Sequence, residues 1–414
     1  MDNKKLLIIG LVWPEPASSA AGTRMVQLVN LFLSAGYEIC FASAAAKSEF
    51  SFNLKDIGVE EREIRLNDDG FNIFLKEVNP GMVLFDRFMV EEQYGWRVQQ
   101  ECPGALRILD TEDLHCLRHA RHLAIKTGSP LHTVHLFTDV AKREIAAILR
   151  CDLSLIISEI EMNILQEQFR IDPSLIYYLP FLEEELSAKN IQSWKNFEQR
   201  EGFVFIGNFL HEPNRHTLQV LKTEIWPVLR KKLPDATLHI YGAYPSQKIL
   251  QLHQNKENFH VHGRAKNAGD VISRHKVLLA PIRFGAGVKG KFIEAMQVGT
   301  PSVTTVMGAE AMRGELDWNG VITDDPGLFI DAAVQLYQDK GYWQSAQLNG
   351  VQIINNRYCK QQFTRPFIEA IKILSLDLTA HRQHNFVGQI LQHNSLNSTK
   401  YMSLWIAEKN SKGK

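Results

Sequence analysis

Short, almost uninterrupted apolar runs recur along the chain, with amphipathic stretches between them. "KLLIIG", "YEICFAS", "GMVLFD", "LRILD", "LSLIIS" and "IYYLPF" fall within the first 182 residues. Helical patterns such as "VAKREIAAILR" and "EIEMNILQEQF" separate several of them, and a first helix is expected over residues 23–35. Strands that are apolar at every position are covered on both faces, so the pattern predicts a parallel α/β sheet. A polar stretch over 182–202 interrupts the alternation. It then restarts with "FVFIGN", "TLHIYG", "FHVHG", "KVLLAPI" and "PSVTT", and "GVITDD" is a candidate last strand. Two doubly wound α/β domains in tandem follow from this: residues 1–182, a linker over 183–202, and residues 203–376. The tail over 377–414 is polar, with one weak helical segment near "FVGQILQ". A chain of 414 residues suits two cores of ordinary size. Ligands of such sheets bind beyond the carboxyl ends of the strands, so a cleft between the domains is the expected site.

Charge narrows the partners. The 46 basic and 46 acidic residues cancel, which argues against a nucleic-acid binder, whose phosphate contacts demand a basic excess. The five cysteines (Cys40, Cys102, Cys116, Cys151 and Cys359) are dispersed, with no metal-ligand spacing, as for buried thiols in a reducing compartment. The N-terminal apolar run is too short for a secretion signal, and no run approaches the ~20 apolar residues of a membrane span. A cytoplasmic location is expected. The basic stretch "LRHARHLAIK" is a candidate peripheral contact with the anionic inner surface of a membrane.

The chemistry concentrates in "LLAPIRFGAGVKGKFIEAMQVGTPSVTT", residues 278–305. With "VLLAPI" as a buried strand, Arg283 lies just past its carboxyl end. Gly285, Gly287 and Gly290 allow positive φ and close backbone approach. A helix starting near Lys291 aims its N-terminus at the same place, and its free N–H groups and dipole favour an anion. Arg283, Lys289 and Lys291 add charge-assisted donors, so the loop suits a diphosphate. The plainer reading makes Lys291 and Glu294 an i,i+3 pair on a solvated helix face, with Phe292, Ala295 and Met296 buried. That accounts for the helix but not for a long, positively charged glycine loop. The Walker spacing GxxxxGK[ST] is absent.

"PIRFGAGVKGKFIEAMQVGTPSVTT" followed by "GAE" resembles the donor-site motif of the group 1 glycosyltransferases with the GT-B fold. The resemblance runs from about residue 203 to 356. It implies two Rossmann-like domains facing across a cleft, with the nucleotide-sugar donor on the second. By the same match Glu294 binds the ribose hydroxyls, as a carboxylate accepting from a vicinal diol. Gly285, Gly287, Val288 and Lys289 put the loop near the sugar and phosphates. Gly263 and Arg264 of "HVHGR" stand in the base-contacting loop. The sequence departs from the pattern at two places. Ala286 occupies a position where many retaining members carry a second glutamate, eight residues before the ribose one. The usual Arg…Lys pair after the domain's first strand is replaced by Asn208, His211 and Asn214, so Asn208 is the donor-side candidate there and Arg283 with Lys289 or Lys291 takes over the phosphate charge. Glu310 matches a family position at a strand end.

In the first domain "WPEPASSAAGTR" lacks GxGxxG, which counts against a dinucleotide dehydrogenase. Gly22 and Arg24 fit the donor-facing loop of the family, against the alternative of a capped helix with a solvated arginine. "LRILDTEDLHCLRHARH" is the densest polar cluster, and Asp113 and His115 resemble the family's sugar-contacting histidine region. Either could act as general base if the reaction inverts. Arg118, Arg121 and His122 share a helical face. Asp86, Arg87 and Arg118 are candidates for the acceptor side. Asp68–Asp69 and Asp324–Asp325 are expected in turns rather than at a metal.

Together these imply a metal-independent glycosyltransferase, retaining by its resemblance. It would move a sugar from a nucleotide diphosphate donor to the hydroxyl of a glycan, a glycolipid or another acceptor in polysaccharide or glycolipid assembly. Asp113, His115, Arg283 and Lys289 are the expected catalytic residues, and no cofactor beyond the donor is implied. A nucleotide-sugar epimerase of the same fold and a non-catalytic nucleotide-sugar binder are the alternatives.

Overall fold

The computed structural model describes residues 3–129 and 136–411. Two all-parallel sheets account for thirteen strands among them. The first contains β1 (Lys5–Gly10), β2 (Glu38–Ser43), β3 (Glu60–Glu63), β4 (Met82–Asp86), β5 (Leu106–Asp110), β6 (Leu153–Ile156) and β7 (Ile176–Tyr178), in the order β3-β2-β1-β4-β5-β6-β7. The second contains β8 (Phe203–Ile206), β9 (Leu238–Tyr241), β10 (Phe259–Gly263), β11 (Val277–Ala280), β12 (Ser302–Thr304) and β13 (Gly320–Ile322), in the order β10-β9-β8-β11-β12-β13. The strand order reverses at β1/β4 and at β8/β11, and crevices open beyond the carboxyl ends of those strands. β4, β5, β6, β8 and β11 are buried at every position, as their largely apolar sequences require.

Each face of the first sheet has its own apolar core, and the second domain has a third. The domains share side chains across their boundary. Ile157 and Phe181 of the first domain join the core of the second, and Ala286 packs on the first. The expected linker is ordered around the second domain. Arg200 donates to Thr300 Oγ1 (2.6 Å) and Val298 O (2.7 Å) and lies over Trp343. Without a carboxylate partner its guanidinium is pushed down by burial to about 10.

The chain's end differs from expectation. Residues 360–376, assigned by sequence to the second domain, form the helix Lys360–Leu376, whose Phe367 and Ile371 sit in a core of the first. The tail is not a polar segment with one weak helix. It folds as helices Leu378–His384 and Phe386–Ser411 strapped to the first domain. Arg382 pairs with Asp152 and donates to the carbonyls of Pro103 and Ala105, while Asn385 and Gln392 donate to those of Leu149 and Arg150. Such contacts, not amphipathic pattern, decide its course. Asp325 caps the helix Pro326–Gln338, and Asp68 accepts from Gly70 N–H, so both acidic pairs do mark helix entries. All five cysteines are buried free thiols.

Candidate active site

The helix Gly290–Gln297 begins where the glycine loop after β11 ends, and it gathers Lys289 at its N-cap, Lys291 and Glu294; of the three, Glu294 lines the cleft between the domains. Lys289 is buried, donates to Gly287 O (2.9 Å), and lies 4.0 Å from Glu310. Burial pushes its ammonium down to about 8. Lys291 donates to Asn214 Oδ1 (2.6 Å) and sits 4.4 Å from the centre of the Phe205 ring, and burial pushes it down to about 7. Two desolvated ammonium groups stand in one place, neither fully neutralised. Glu294 does not form the surface pair with Lys291 that the helical spacing allowed. Its carboxylate carries no hydrogen bond among the described residues, and burial raises it to about 7. It faces a cleft of 590 Å³ lined from the first domain by Pro16, Ala20 and Thr23 and from the second by Lys266, Gly290 and Gln297. Glu183, which sequence reasoning passed over, lines the same cleft, held by Gln27 and Gln297.

The three loop glycines serve different ends. Only Gly287 has a left-handed backbone (φ 61°), and a Cβ there would lie 2.9 Å from Asp113 Cβ of the opposite domain. Gly290 lets the helix approach Ala20, whose Cβ a side chain would meet at 2.8 Å. Gly285 needs neither freedom. Its carbonyl accepts from Arg121 (2.8 Å). Val288 is a core side chain.

The first domain clasps this loop. Arg121 makes a two-pronged contact with Glu310 (2.6 and 2.7 Å), and His122 stacks on Phe284 with centroids 4.7 Å apart. The buried Glu161 accepts on Oε1 from Leu114 N–H (3.0 Å) and from Gly287 N–H (2.8 Å), joining the domains through one oxygen. Burial and the neighbouring Asp113 raise its carboxyl to about 8. Nothing in the sequence pointed to Glu161. Its partner glycine is 126 residues away.

Several sequence expectations are corrected by these positions. Arg283 turns away from the role of a free phosphate cation: it is half exposed and paired with Glu224. Arg24 is not a donor contact. It is 1% exposed, bound to Asp110 through two nitrogens, and donates to Leu179 O (2.8 Å). Gly22 is needed for packing, since a Cβ would fall 2.4 Å from the backbone of Glu15, and its N–H is already given to Ser19 Oγ. Asn208 closes a turn, accepting from Leu210 N–H and from Asn214 Nδ2, so Asn214 is the residue that meets Lys291. Gly263 adopts φ 77° at an irregularity in β10, and Arg264 reaches back to Ser18 Oγ (3.0 Å) and the Phe50 ring (4.0 Å) as a bridge between domains.

Neither expected base is poised near neutrality. Asp113 pairs with Arg118 and lies 3.4 Å from His115 Nε2, and despite its burial these cations hold it down to about 2. Burial pushes His115, packed edge-on to Phe88, to about 4. His211, which caps the helix Glu212–Val220, joins this group and is pushed down to about 4 by burial and by Arg118. Arg121 and His122 therefore face the second domain and Arg118 folds onto Asp113, leaving His119, Leu123, Ile125 and Lys126 of the basic stretch outside. Asp86 is buried at the end of β4, accepting from Leu11 N–H (3.0 Å), with Arg87 Nη1 3.4 Å away. The sequence also passed over Glu112. It is half-buried with φ 62°, and burial beside Asp110 raises it to about 8.

Comparison with known proteins agrees with this layout. Residues 200–339 match the family model described as glycosyl transferases group 1. No curated protein matches the chain in sequence. Among solved structures, the sucrose-phosphate synthase from Thermosynechococcus elongatus superposes with a TM-score of 0.66 at 14% identity, covering 90% of this chain and 99% of that one. The pneumococcal O-GlcNAc transferase GtfA, solved with UDP and GlcNAc, gives 0.66 at 12%, covering 91% and 100%. Anabaena HepE, solved with UDP and glucose, gives 0.64 at 12%, covering 89% and 99%. At these identities the likeness is one of fold. Among the described residues no helix is long and apolar enough to cross a membrane.

Proposed function

From a chain that is a glycosyltransferase, with a second domain of group 1 and the GT-B fold, we propose a specific reaction: transfer of a sugar from a nucleotide diphosphate sugar to an acceptor hydroxyl. The observation that carries this is the bare Glu294 carboxylate in the interdomain cleft, one turn along the helix from the two desolvated lysines. A carboxylate without a protein partner accepts from a ribose diol. Two under-neutralised ammonium groups at the mouth of a helix take a diphosphate. As the anomeric C–O bond to phosphate breaks, negative charge grows on the leaving diphosphate, and Lys289 and Lys291 are pre-placed to meet it. This supports a metal-independent reaction. We infer a uridine-type or related nucleotide from the ligands of GtfA and HepE. Retention at the anomeric carbon and a place in polysaccharide or glycolipid assembly belong to the same reading.

Purified protein incubated with a panel of nucleotide sugars and hydroxyl acceptors tests it, in chelator-treated buffer. The expected result is release of nucleoside diphosphate with a product whose anomeric configuration, read by proton NMR, matches the donor's. No binding or release with any donor would sink the reading. Conversion of donor to an isomer without acceptor would mark an epimerase instead.

A further inference from the structure

Besides Glu161 Oε2, two buried carboxylate oxygens of the first domain have no partner among the described residues, Asp86 Oδ1 and Glu112 Oε1. They lie at the ends of neighbouring strands: Asp86 closes β4, and Glu112 follows Asp110, the residue opposite Asp86 in the ladder. A buried acceptor without a donor is costly, so a ligand hydroxyl or amine, or the group's own proton, must complete it.

The backbone at the same place is strained. Arg87 has φ 72° and Glu112 φ 62°, conformations that side-chain-bearing residues keep only where their surroundings impose them, often at functional sites. The neighbouring groups are already committed. Asp110 holds Arg24, Asp113 holds Arg118 and His115, and one oxygen of Glu161 holds two backbone amides. Glu112 is left with a half-buried, uncommitted carboxyl. The backbone of Glu112 stands directly across from the donor loop: a Cβ on Gly287 would come 3.4 Å from the Glu112 carbonyl oxygen. On the loop itself Ala286 offers no carboxyl, and its methyl packs on the core of the first domain.

We propose that Glu112 grips a hydroxyl of the transferred sugar, and so sets which sugar the cleft accepts. This rests on the glycosyltransferase reading above and deepens it. The contact that the loop cannot make at position 286 comes from the opposite domain, with Asp86 and Arg87 framing the same corner. A site built to bond a hydroxyl discriminates sharply against a sugar lacking it, because its buried oxygen is then left bare.

Calorimetry on the full chain with UDP-, GDP- and ADP-hexoses first selects the donor that the wild type binds. Glu112→Gln and Glu112→Ala are then titrated with that nucleotide sugar and with its nucleoside diphosphate. Expected is nucleoside diphosphate affinity within about twofold of wild type and nucleotide-sugar affinity lower by roughly ten- to a hundredfold, the range for leaving a buried hydrogen-bonding group unpaired. A series of monodeoxy donors closes the cycle: one of them loses the same factor in the wild type and nothing further in Glu112→Ala. Unchanged nucleotide-sugar affinity in both variants, with diphosphate binding intact, overturns the proposal and leaves the transferase reading standing. Equal losses for sugar and diphosphate ligands in the isosteric Glu112→Gln mean a structural role and also overturn it. A wild type that binds no nucleoside diphosphate overturns both.

Discussion

Gly287→Ala is the sharpest probe of how the donor loop and the first domain fit together. The position has φ 61°, and holding an alanine there costs about 1–2 kcal/mol. The new methyl would lie 2.9 Å from Asp113 Cβ and 3.5 Å from Ile157 Cγ2, both on the first domain. Carbon atoms pack at about 3.5–4.0 Å, so the domains must part locally by up to about 1 Å. Overpacking of this kind costs about 1–3 kcal/mol. Parting them stretches the bond from Gly287 N–H to Glu161, worth about 1 kcal/mol. The clash and the stretched bond together, about 2–4 kcal/mol, bear on the docked cleft and lower the docked population by roughly one to three orders of magnitude, whereas the backbone cost falls on the loop itself. Single-turnover release of nucleoside diphosphate should fall accordingly, and small-angle scattering should show a more open particle, while thermal melting changes little. Gly285→Ala is the control: its φ is not left-handed, and a Cβ would meet only Lys289 Cε at 3.7 Å. Wild-type turnover in Gly287→Ala, or equal damage from Gly285→Ala, would refute this account of the interface.

Arg24→Met should cost the first domain about 3–5 kcal/mol in urea unfolding, because it leaves Asp110 buried without a cation and the carbonyl of Leu179 without its donor; a smaller loss than about 1 kcal/mol would mean the pair is dispensable. Arg283→Ala should leave donor affinity at its wild-type value, since the guanidinium is already engaged with Glu224 in a half-exposed pair; a clear loss would return Arg283 to the site. His239 and His275, in a stacked group with His262, are pushed down by burial to about 3 and about 4. The unfolded chain, with histidines near 6.5, binds more protons than the folded one between those values, so stability is full above about pH 6.5 and falls toward pH 4. Melting curves of His239→Asn and His275→Asn across that window should be flatter than wild type, and an unchanged slope would count against the cluster.

The parts legible in sequence were those where one local segment carries the whole signal. Strands buried on both faces announce themselves as apolar runs. β3 did not, because it is an edge strand written "EERE", with the charges that protect an edge. The loop over 283–291 was legible because its glycines, lysines and following carboxylate are contiguous. Which partner a strand-end charge finds was not, since that is decided by chain tens to hundreds of residues away. Arg24 and Arg283 were read as ligand-facing and instead found Asp110 and Glu224. Glu161 gave no local sign of reaching Gly287, and Glu112 was overshadowed by Asp113 and His115 beside it, which the structure shows to be engaged with each other and with Arg118.

The two loop lysines also make a quantitative demand on donor binding. In the free protein burial holds Lys289 near 8 and Lys291 near 7, so at pH 8 the first is about half neutral and the second mostly so. A nucleotide sugar brings two phosphate charges that are ionised throughout this range. Placed beside the ammonium groups, they raise both affinities for the proton, and binding at pH 8 takes up on the order of one proton. The sign for the lysines follows: their contribution to affinity is full below about pH 6, where both are already charged, and is lost as pH rises through their raised values in the complex. Glu294, near 7 in the free protein, is mostly ionised at pH 8 and contributes little there. Calorimetry at pH 8 in HEPES and in Tris, whose ionisation enthalpies differ widely, reads the uptake directly as a buffer-dependent heat. Lys291→Met should remove most of it and weaken binding at pH 7 more than at pH 9, where the wild-type lysine is itself neutral before the donor arrives. A heat independent of buffer would mean that the lysines are charged without a ligand, and the desolvated ammonium pair would no longer explain why the cleft takes a diphosphate.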